Sequence, residues 1–162
     1  MVHYNDVDKL DISEYHKFYK NIKLGKSYGR GVFAAKDFTK NEVLEVAPYI
    51  IDKDSAFNDY IFSSHLKDYT SIIVLGYGSI YNHNDDPNVG YILMSDKDDN
   101  IDKMYFIYYA KRDIKKDEEC KISYGKGWWR SRGIKAQTND HTDDNKTTNK
   151  SDKKSKTKSK VP

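Results

Sequence analysis

The chain is poor in the residues that build disulfide frameworks, zinc clusters and membrane spans. It has one cysteine, Cys120, and three prolines among 162 residues. A single cysteine forms no internal disulfide and no cysteine-based zinc cluster, so we expect Cys120 to be a small buried residue of a strand. No apolar run approaches the roughly 20 residues of a membrane-spanning helix, and the first residues lack a signal-peptide pattern. The sequence therefore predicts a soluble, intracellular protein without a membrane partner.

An excess of charge of one sign is confined to the end of the chain. Residues 134–162 hold eight lysines and four aspartates, a balance of +4, whereas residues 1–133 hold 20 basic and 21 acidic residues, a balance of −1. A nearly neutral body disfavours a protein whose main task is to grip phosphates over a broad face. The end segment has almost no apolar residues, so we expect a disordered, lysine-rich tail. DNA contact or nuclear import through this tail stays open.

The apolar residues that are present form short runs typical of strands. Many are aromatic, with 14 tyrosines, six phenylalanines and two tryptophans. The runs are bounded by Gly, Asp, Asn and Pro, and no long amphipathic helix is predicted. Residues 57–66 fit either a helix or an irregular segment, and residues 1–20 fit an extension or an edge element. We predict one mainly β domain with strands at Val32–Ala34, Val43–Ile51, Ile72–Leu75, Val89–Met94, Met104–Ala110 and Cys120–Tyr124.

Three segments, in a fixed order, have residues that could carry chemistry. They are Gly29-Arg30-Gly31, Asn82-His83 followed by Pro87-Asn88, and the run from Glu119 to Tyr124. Two glycines around one residue let the backbone turn sharply and bring its N–H groups close to a ligand.

Each segment also has a simpler interpretation when it is taken alone. A Gly-x-Gly is often an ordinary tight turn, and a strand-ending tyrosine such as Tyr124 is often a packing residue. An isolated histidine often satisfies a buried carbonyl. A metal site at His83 is disfavoured because no second histidine and no cysteine pair lies at ligand spacing from it.

Taken together, the three segments resemble the signature of the SET domain family of protein-lysine methyltransferases. The resemblance covers residues 22–133, which leaves residues 1–21 as an N-terminal extension and 134–162 as the tail. It implies a mainly β fold, the SET domain or β-clip, built of several small sheets of short strands. In that fold the Asn-His segment and the last strand cross in a knot-like arrangement. The lack of cysteine-rich flanking modules makes the chain most similar to small virus-encoded members.

The resemblance also implies a cofactor, S-adenosylmethionine, and a set of residues that contact it. The backbone of Gly29-Arg30-Gly31 would cradle its methionine part, and Asn82 and His83 would contact its adenosine. Tyr124 would be the catalytic tyrosine and would border the cofactor. Trp129, which follows the last motif, would pack against the cofactor, although packing of two large aromatics in the core explains it equally well.

Two further residues are implied to line the channel for the substrate lysine. Tyr60 lies in a segment, Asp59 to Ser63, that resembles one found in small virus-encoded members. Ile122 takes a position where the family commonly has an aromatic that tunes how many methyl groups are added. A smaller, apolar side chain there leaves room for more than one methyl and leaves the product open.

Methyl transfer to lysine explains why these residue types would be used. The reactive amine must be neutral, and at about pH 8 deprotonating a free lysine costs roughly 3 kcal/mol, because its pKa is about 10.4. A narrow, partly apolar channel lowers that pKa, and tyrosine rings stabilise a cationic methyl group by their π faces. The hydroxyl of Tyr124 would align the amine, so that alignment supplies much of the catalysis.

The implied partner is a protein with an exposed lysine, with a histone tail favoured. Such a tail is flexible and basic and can lie as an extended strand in a groove of a mainly β domain. The alternatives are a non-histone protein substrate, or an inactive SET module that binds a protein or nucleic acid. A role in chromatin implies the nucleus, or a virus replication site if the protein is viral. The sequence leaves the oligomeric state open, a homodimer included.

Overall fold

A computed structural model describes residues 2–3, 5, 12–27, 29–51, 58–66, 69–94 and 105–134. Within these ranges the chain is mainly β, with two 3-10 segments, Ile12–Asn21 and Asn58–Tyr60, and one short helix, α1 (Gly125–Ser131). The described strands are β1 (Ile22–Ser27), β2 (Gly29–Ala34), β3 (Val43–Ile51), β4 (Ile61–Leu66), β5 (Tyr69–Val74), β6 (Asn82–His83), β7 (Val89–Met94), β8 (Tyr105–Ala110) and β9 (Glu119–Ile122).

A five-stranded antiparallel sheet, in the order β4-β5-β3-β8-β7, forms one part of the molecule. Its central strand β3 is buried along nearly its whole length, because both of its faces are covered. On one face Val43 and Val46 pack with Tyr15 and Phe18 of the first 3-10 segment. On the other face lies the main apolar core. This explains why β3 is an apolar run in the sequence apart from Glu45.

A four-stranded sheet, in the order β1-β2-β9-β6, brings the three motifs side by side. β2, which contains the Gly-x-Gly, is antiparallel to β9. β6, the Asn-His pair, runs parallel to β9, with His83 opposite Ile122. The buried Asn88 secures this arrangement, because its amide donates to the Glu119 carbonyl at 2.8 Å and accepts from the Lys121 N–H at 2.7 Å. The Pro-Asn part of the second motif therefore fixes how β6 and β9 meet.

The predicted strands are confirmed, with differences at their ends. Val43–Ile51 and Val89–Met94 match β3 and β7, whereas the last strand ends at Ile122 instead of Tyr124. It ends there because Tyr124 has helical backbone angles and caps α1. The expected burial of Cys120 in a strand is also confirmed, and burial raises the pKa of its thiol to about 12.

Three strands were not predicted from the sequence. β1 lies at a sheet edge and has only two large apolar residues, Ile22 and Leu24, and β6 is only two residues long. β4 lies in the run that fitted either a helix or an irregular segment, and neither alternative was right for residues 61–66. Residues 12–20 belong to a 3-10 segment packed on β3, and His3 forms an isolated antiparallel bridge with Glu42. Residues 135–162, most of the predicted tail, lie outside the described ranges. Among the described residues no helix is long and apolar enough to cross a membrane.

Candidate active site

Asn82 joins the three motifs into one hydrogen-bonded unit. Its side-chain amide donates to the Arg30 carbonyl at 2.9 Å and to Glu119 Oε1 at 2.8 Å. Gly31 lies directly beside this amide, and a Cβ there would stand 3.0 Å from Asn82 Nδ2 and 2.6 Å from Glu119 Oε1. Gly29 has a φ of +85°, which favours glycine. The two glycines are therefore needed for different reasons, one for close approach and one for backbone angle, while Arg30 contributes its carbonyl and leaves its side chain exposed.

His83 connects this unit to Tyr124. Its ring is 5% exposed, its Nδ1 accepts the Tyr124 N–H at 3.1 Å, and its Nε2 lies 3.1 Å from Asp85 Oδ1. Because Nδ1 is an acceptor, the ring fits the tautomer whose proton is on Nε2 and is donated to Asp85. Within the described ranges no group of three or more His, Cys, Asp or Glu side chains could hold a metal ion.

The Tyr124 hydroxyl is held in one orientation. It donates to the carbonyl of Tyr81 at 2.8 Å. Burial, and then the charges of Glu119 and Tyr60, raise the pKa of Tyr124 to about 12, so the phenol stays neutral at physiological pH. Since its proton is committed to Tyr81, its oxygen can still accept a hydrogen bond from another group.

Trp129 covers His83 and Tyr124 with its ring. The ring centroids of His83 and Trp129 are 4.9 Å apart, and Tyr124 stacks on Trp129 with 19° between the planes. Trp129 Nε1 is buried and has no hydrogen-bond partner among the described residues. An unpaired buried donor is uncommon, and it suits a place where a bound molecule supplies an acceptor.

Tyr124 also lines a cleft of about 940 Å³. At its edge the Arg132 guanidinium lies 3.9 Å over the ring of Trp128, and its Nε donates to Asp59 Oδ1 at 3.1 Å. This contact ties the end of α1 to the segment before β4. The aromatic side chains that line the cleft are those of Tyr60, Phe62, Tyr81, Tyr91, Tyr124 and Trp128. Such walls suit an aliphatic chain that ends in a cation.

Comparison with known proteins decides the family. The family model of the SET domain matches residues 29–125, more than half of the chain. The chain belongs to the SET domain family of protein-lysine methyltransferases. It is 33% identical over 108 residues to the "Histone-lysine N-methyltransferase, H3 lysine-37 specific" of Schizosaccharomyces pombe, which covers 62% of this chain and 69% of that protein. It also matches the crystal structure of a candidate histone methyltransferase of Plasmodium falciparum, with a TM-score of 0.54 and 35% identity, over 67% of this chain and 96% of the other.

The SET domain brings most of the sequence-predicted residues together. Tyr124 lines the cleft and also contacts the rings of His83 and Trp129. Tyr60 lies at the cleft with 53% of its surface exposed. Ile122 is the exception, because its side chain is fully buried in the core and is not among the residues that line this cleft. Its place in the lysine channel stays a prediction.

Sequence reasoning missed several residues of this SET domain site. Tyr81 offered a signal, since it directly precedes Asn82 and is a large polar aromatic between two motifs. Tyr91 and Trp128 lie on elements that are distant in the sequence, and Arg132 meets Asp59 across 73 residues. No local pattern indicates such pairs.

Proposed function

We propose that this SET domain protein transfers a methyl group from S-adenosylmethionine to a lysine of a histone tail. The observation that carries the proposal is the position of Tyr124. Its ring contacts His83 of the Asn-His motif and Trp129, and the same residue lines an aromatic cleft. A cofactor held by the Asn-His motif and a lysine bound in the cleft would meet at this residue.

The residues of the three motifs fit the cofactor. When bound, S-adenosylmethionine supplies a methyl group on a positively charged sulfur, and that sulfur keeps the electron pair of the broken C–S bond. Gly29, Arg30 and Gly31 would hold it by their backbone, with Asn82, His83 and Trp129 around it. Three features support this: the unpaired Trp129 Nε1, the absence of space for a side chain at Gly31, and the Asn82 amide oxygen, which accepts no hydrogen bond among the described residues.

Tyr124 would orient the substrate amine without acting as a base. Its hydroxyl donates a hydrogen bond to the Tyr81 carbonyl, so the hydroxyl oxygen is available to accept an N–H of the neutral amine. That hydrogen bond would direct the lone pair of the amine. The raised pKa of Tyr124 argues against a tyrosinate that removes the lysine proton. Aromatic walls disfavour the charged ammonium, and its proton leaves to water through the open end of the cleft. Catalysis then comes mainly from alignment.

A histone tail is the substrate that the comparisons favour. The Schizosaccharomyces pombe relative is named for lysine-37 of histone H3, and the Plasmodium falciparum structure is of a candidate histone methyltransferase. The balance of −1 over residues 1–133 is compatible with a basic peptide. We further propose a role as a chromatin regulator in the nucleus, with DNA contact through the lysine-rich tail. The likeness to virus-encoded members stays a prediction, since both of these relatives are cellular.

The test is transfer of radiolabelled methyl groups to core histones and to nucleosomes, with Tyr124→Phe as the central variant. Loss of the hydroxyl should lower kcat at least about 100-fold, as removal of one preorganised polar group does in other enzymes, and should leave cofactor affinity nearly unchanged. Tyr15→Phe is the matched control, because Tyr15 packs on the far face of β3.

The outcomes separate the parts of the proposal. Label on one histone that is lost in Tyr124→Phe supports both substrate and mechanism. A Tyr124→Phe enzyme as fast as wild type would remove the hydroxyl from the mechanism. Cofactor binding without label on any histone would favour the second candidate, a non-histone protein with an exposed lysine.

A further inference from the structure

Glu45 is a buried acidic residue that the proposed reaction does not use. It lies in the middle of β3, between Leu44 and Val46, and its side chain is 0% exposed. No lysine or arginine of the described residues forms an ion pair with it. Burying a carboxyl group without a cationic partner costs free energy unless hydrogen bonds compensate. The hydrogen-bond partners of Glu45 therefore indicate why it is there.

Those partners lie in the turn that leads into the Asn-His motif. The Tyr77 N–H donates to Glu45 Oε1 at 2.8 Å. Gly76 packs so closely that a Cβ on it would lie 2.7 Å from the same oxygen. Glu45 thus fastens the first part of the turn formed by residues 75–80.

The side chain of Tyr81 meets Glu45 at the end of the same turn. Its hydroxyl is close enough to the Glu45 carboxyl for the two groups to interact. The two groups form no hydrogen bond in the structure, and the Tyr81 hydroxyl and Glu45 Oε2 are both buried without a hydrogen-bond partner among the described residues. The Tyr81 ring has little freedom to turn elsewhere, because it stacks on Tyr108 with centroids 4.6 Å apart. Each of these two polar atoms is therefore the natural partner of the other.

Tyr81 links this buried pair to the reacting centre. Its hydroxyl faces Glu45, its carbonyl accepts the hydroxyl of Tyr124 at 2.8 Å, and Asn82 follows it in the chain. A shift of the Tyr81 side chain would move that carbonyl. The orientation of Tyr124 depends on where the carbonyl stands.

We propose that Glu45 is a positioning residue for methyl transfer, which holds Tyr81 by its hydroxyl and thereby fixes the carbonyl that orients Tyr124. The inference rests on the proposed function, since it assigns Glu45 a part in that same reaction. Glu45 itself would touch neither substrate nor cofactor.

The test compares Glu45→Gln, Glu45→Met and Tyr81→Phe in the full chain, by kcat and KM on a histone substrate and by urea unfolding. Glutamine can accept the Tyr77 N–H and donate to the Tyr81 hydroxyl, so Glu45→Gln should keep kcat within about threefold. Tyr81→Phe removes only the hydroxyl and should lower kcat about tenfold, with a smaller change in KM. Glu45→Met should lower kcat by at least as much. If Glu45→Met does not fold, the kcat of Tyr81→Phe alone decides the outcome.

A double variant and a matched control distinguish positioning from general stability. If Glu45 acts through the Tyr81 hydroxyl, Glu45→Met with Tyr81→Phe should be no slower than Glu45→Met alone. Glu42→Gln is the control, because Glu42 is another buried carboxyl of the same region that is bound by Lys36. It should lower stability and leave kcat unchanged.

Two results would overturn the inference while the wild-type enzyme still methylates histones. One is a Tyr81→Phe variant with wild-type kcat. The other is a double variant in which the decrease in kcat equals the product of the decreases in the two single variants. A wild-type protein that methylates no histone would instead refute the proposed substrate, so the two failures can be told apart.

Discussion

The burial of Glu45 should make the stability of this domain fall as pH rises through the neutral range. Burial raises the pKa of Glu45 from 4.5 to about 7, against the opposing effect of the Tyr77 N–H. In the unfolded chain the carboxyl ionises above about pH 4.5, whereas in the folded domain it keeps its proton until about pH 7. Between these values the folded state binds more protons, so the stabilisation present below pH 4.5 is lost as pH rises through 7.

The expected magnitude follows from the difference between the two pKa values. It corresponds to roughly 3 kcal/mol between pH 4.5 and pH 8. Hydrogen bonds from Lys116 N–H and from the Lys23 side chain lower the pKa values of Asp37 and Asp117. The stabilisation from these two aspartates is lost only as pH falls below the ordinary range of aspartate. This pH range does not overlap with the range in which Glu45 titrates.

The assay is urea unfolding of wild type and Glu45→Gln at several pH values from 4.5 to 8. Glutamine has no proton to lose in this range, so the difference in unfolding free energy between the two proteins should change by roughly 3 kcal/mol across it. A constant difference would refute the reasoning, because it would mean that Glu45 titrates alike in the folded and unfolded chains.

Three further predictions concern Gly31, Asp59 and the lysine-rich tail. Gly31→Ala would place a Cβ 3.0 Å from Asn82 Nδ2, so we expect calorimetry to show at least about tenfold weaker binding of S-adenosylmethionine, and undiminished affinity would contradict the close approach. Asp59→Asn removes the charge from the exposed contact with Arg132 and should change the unfolding free energy by less than about 1 kcal/mol; a larger loss in urea unfolding would mean that this contact stabilises the fold. Deletion of residues 136–162 should lower methylation of nucleosomes but not of an isolated histone peptide, and an equal loss on both would exclude the proposed DNA contact.

The sequence by itself determined the family, the mainly β class and most of the strands. β3 and β7 were predicted to the residue because their apolar and β-branched runs are local patterns bounded by turn residues. One site was indicated by the order of three motifs, Gly29-Arg30-Gly31, Asn82-His83 and Tyr124. These motifs can be recognised in a sequence because the functional residues of each are adjacent or nearly so. Strands without such a pattern, such as the edge strand β1, were missed.

The tertiary structure alone decided which side chains meet. The parallel pairing of β6 with β9, the ion pair of Asp59 with Arg132, and the contact of Glu45 with Tyr81 each join residues tens of positions apart. The sequence shows Glu45 as one acid within an apolar run. It does not show which groups compensate the burial of this acid. Local propensity acts between neighbours in the chain, whereas burial and hydrogen bonding act between neighbours in space. The site of this methyltransferase therefore needed the fold before its supporting residues could be named.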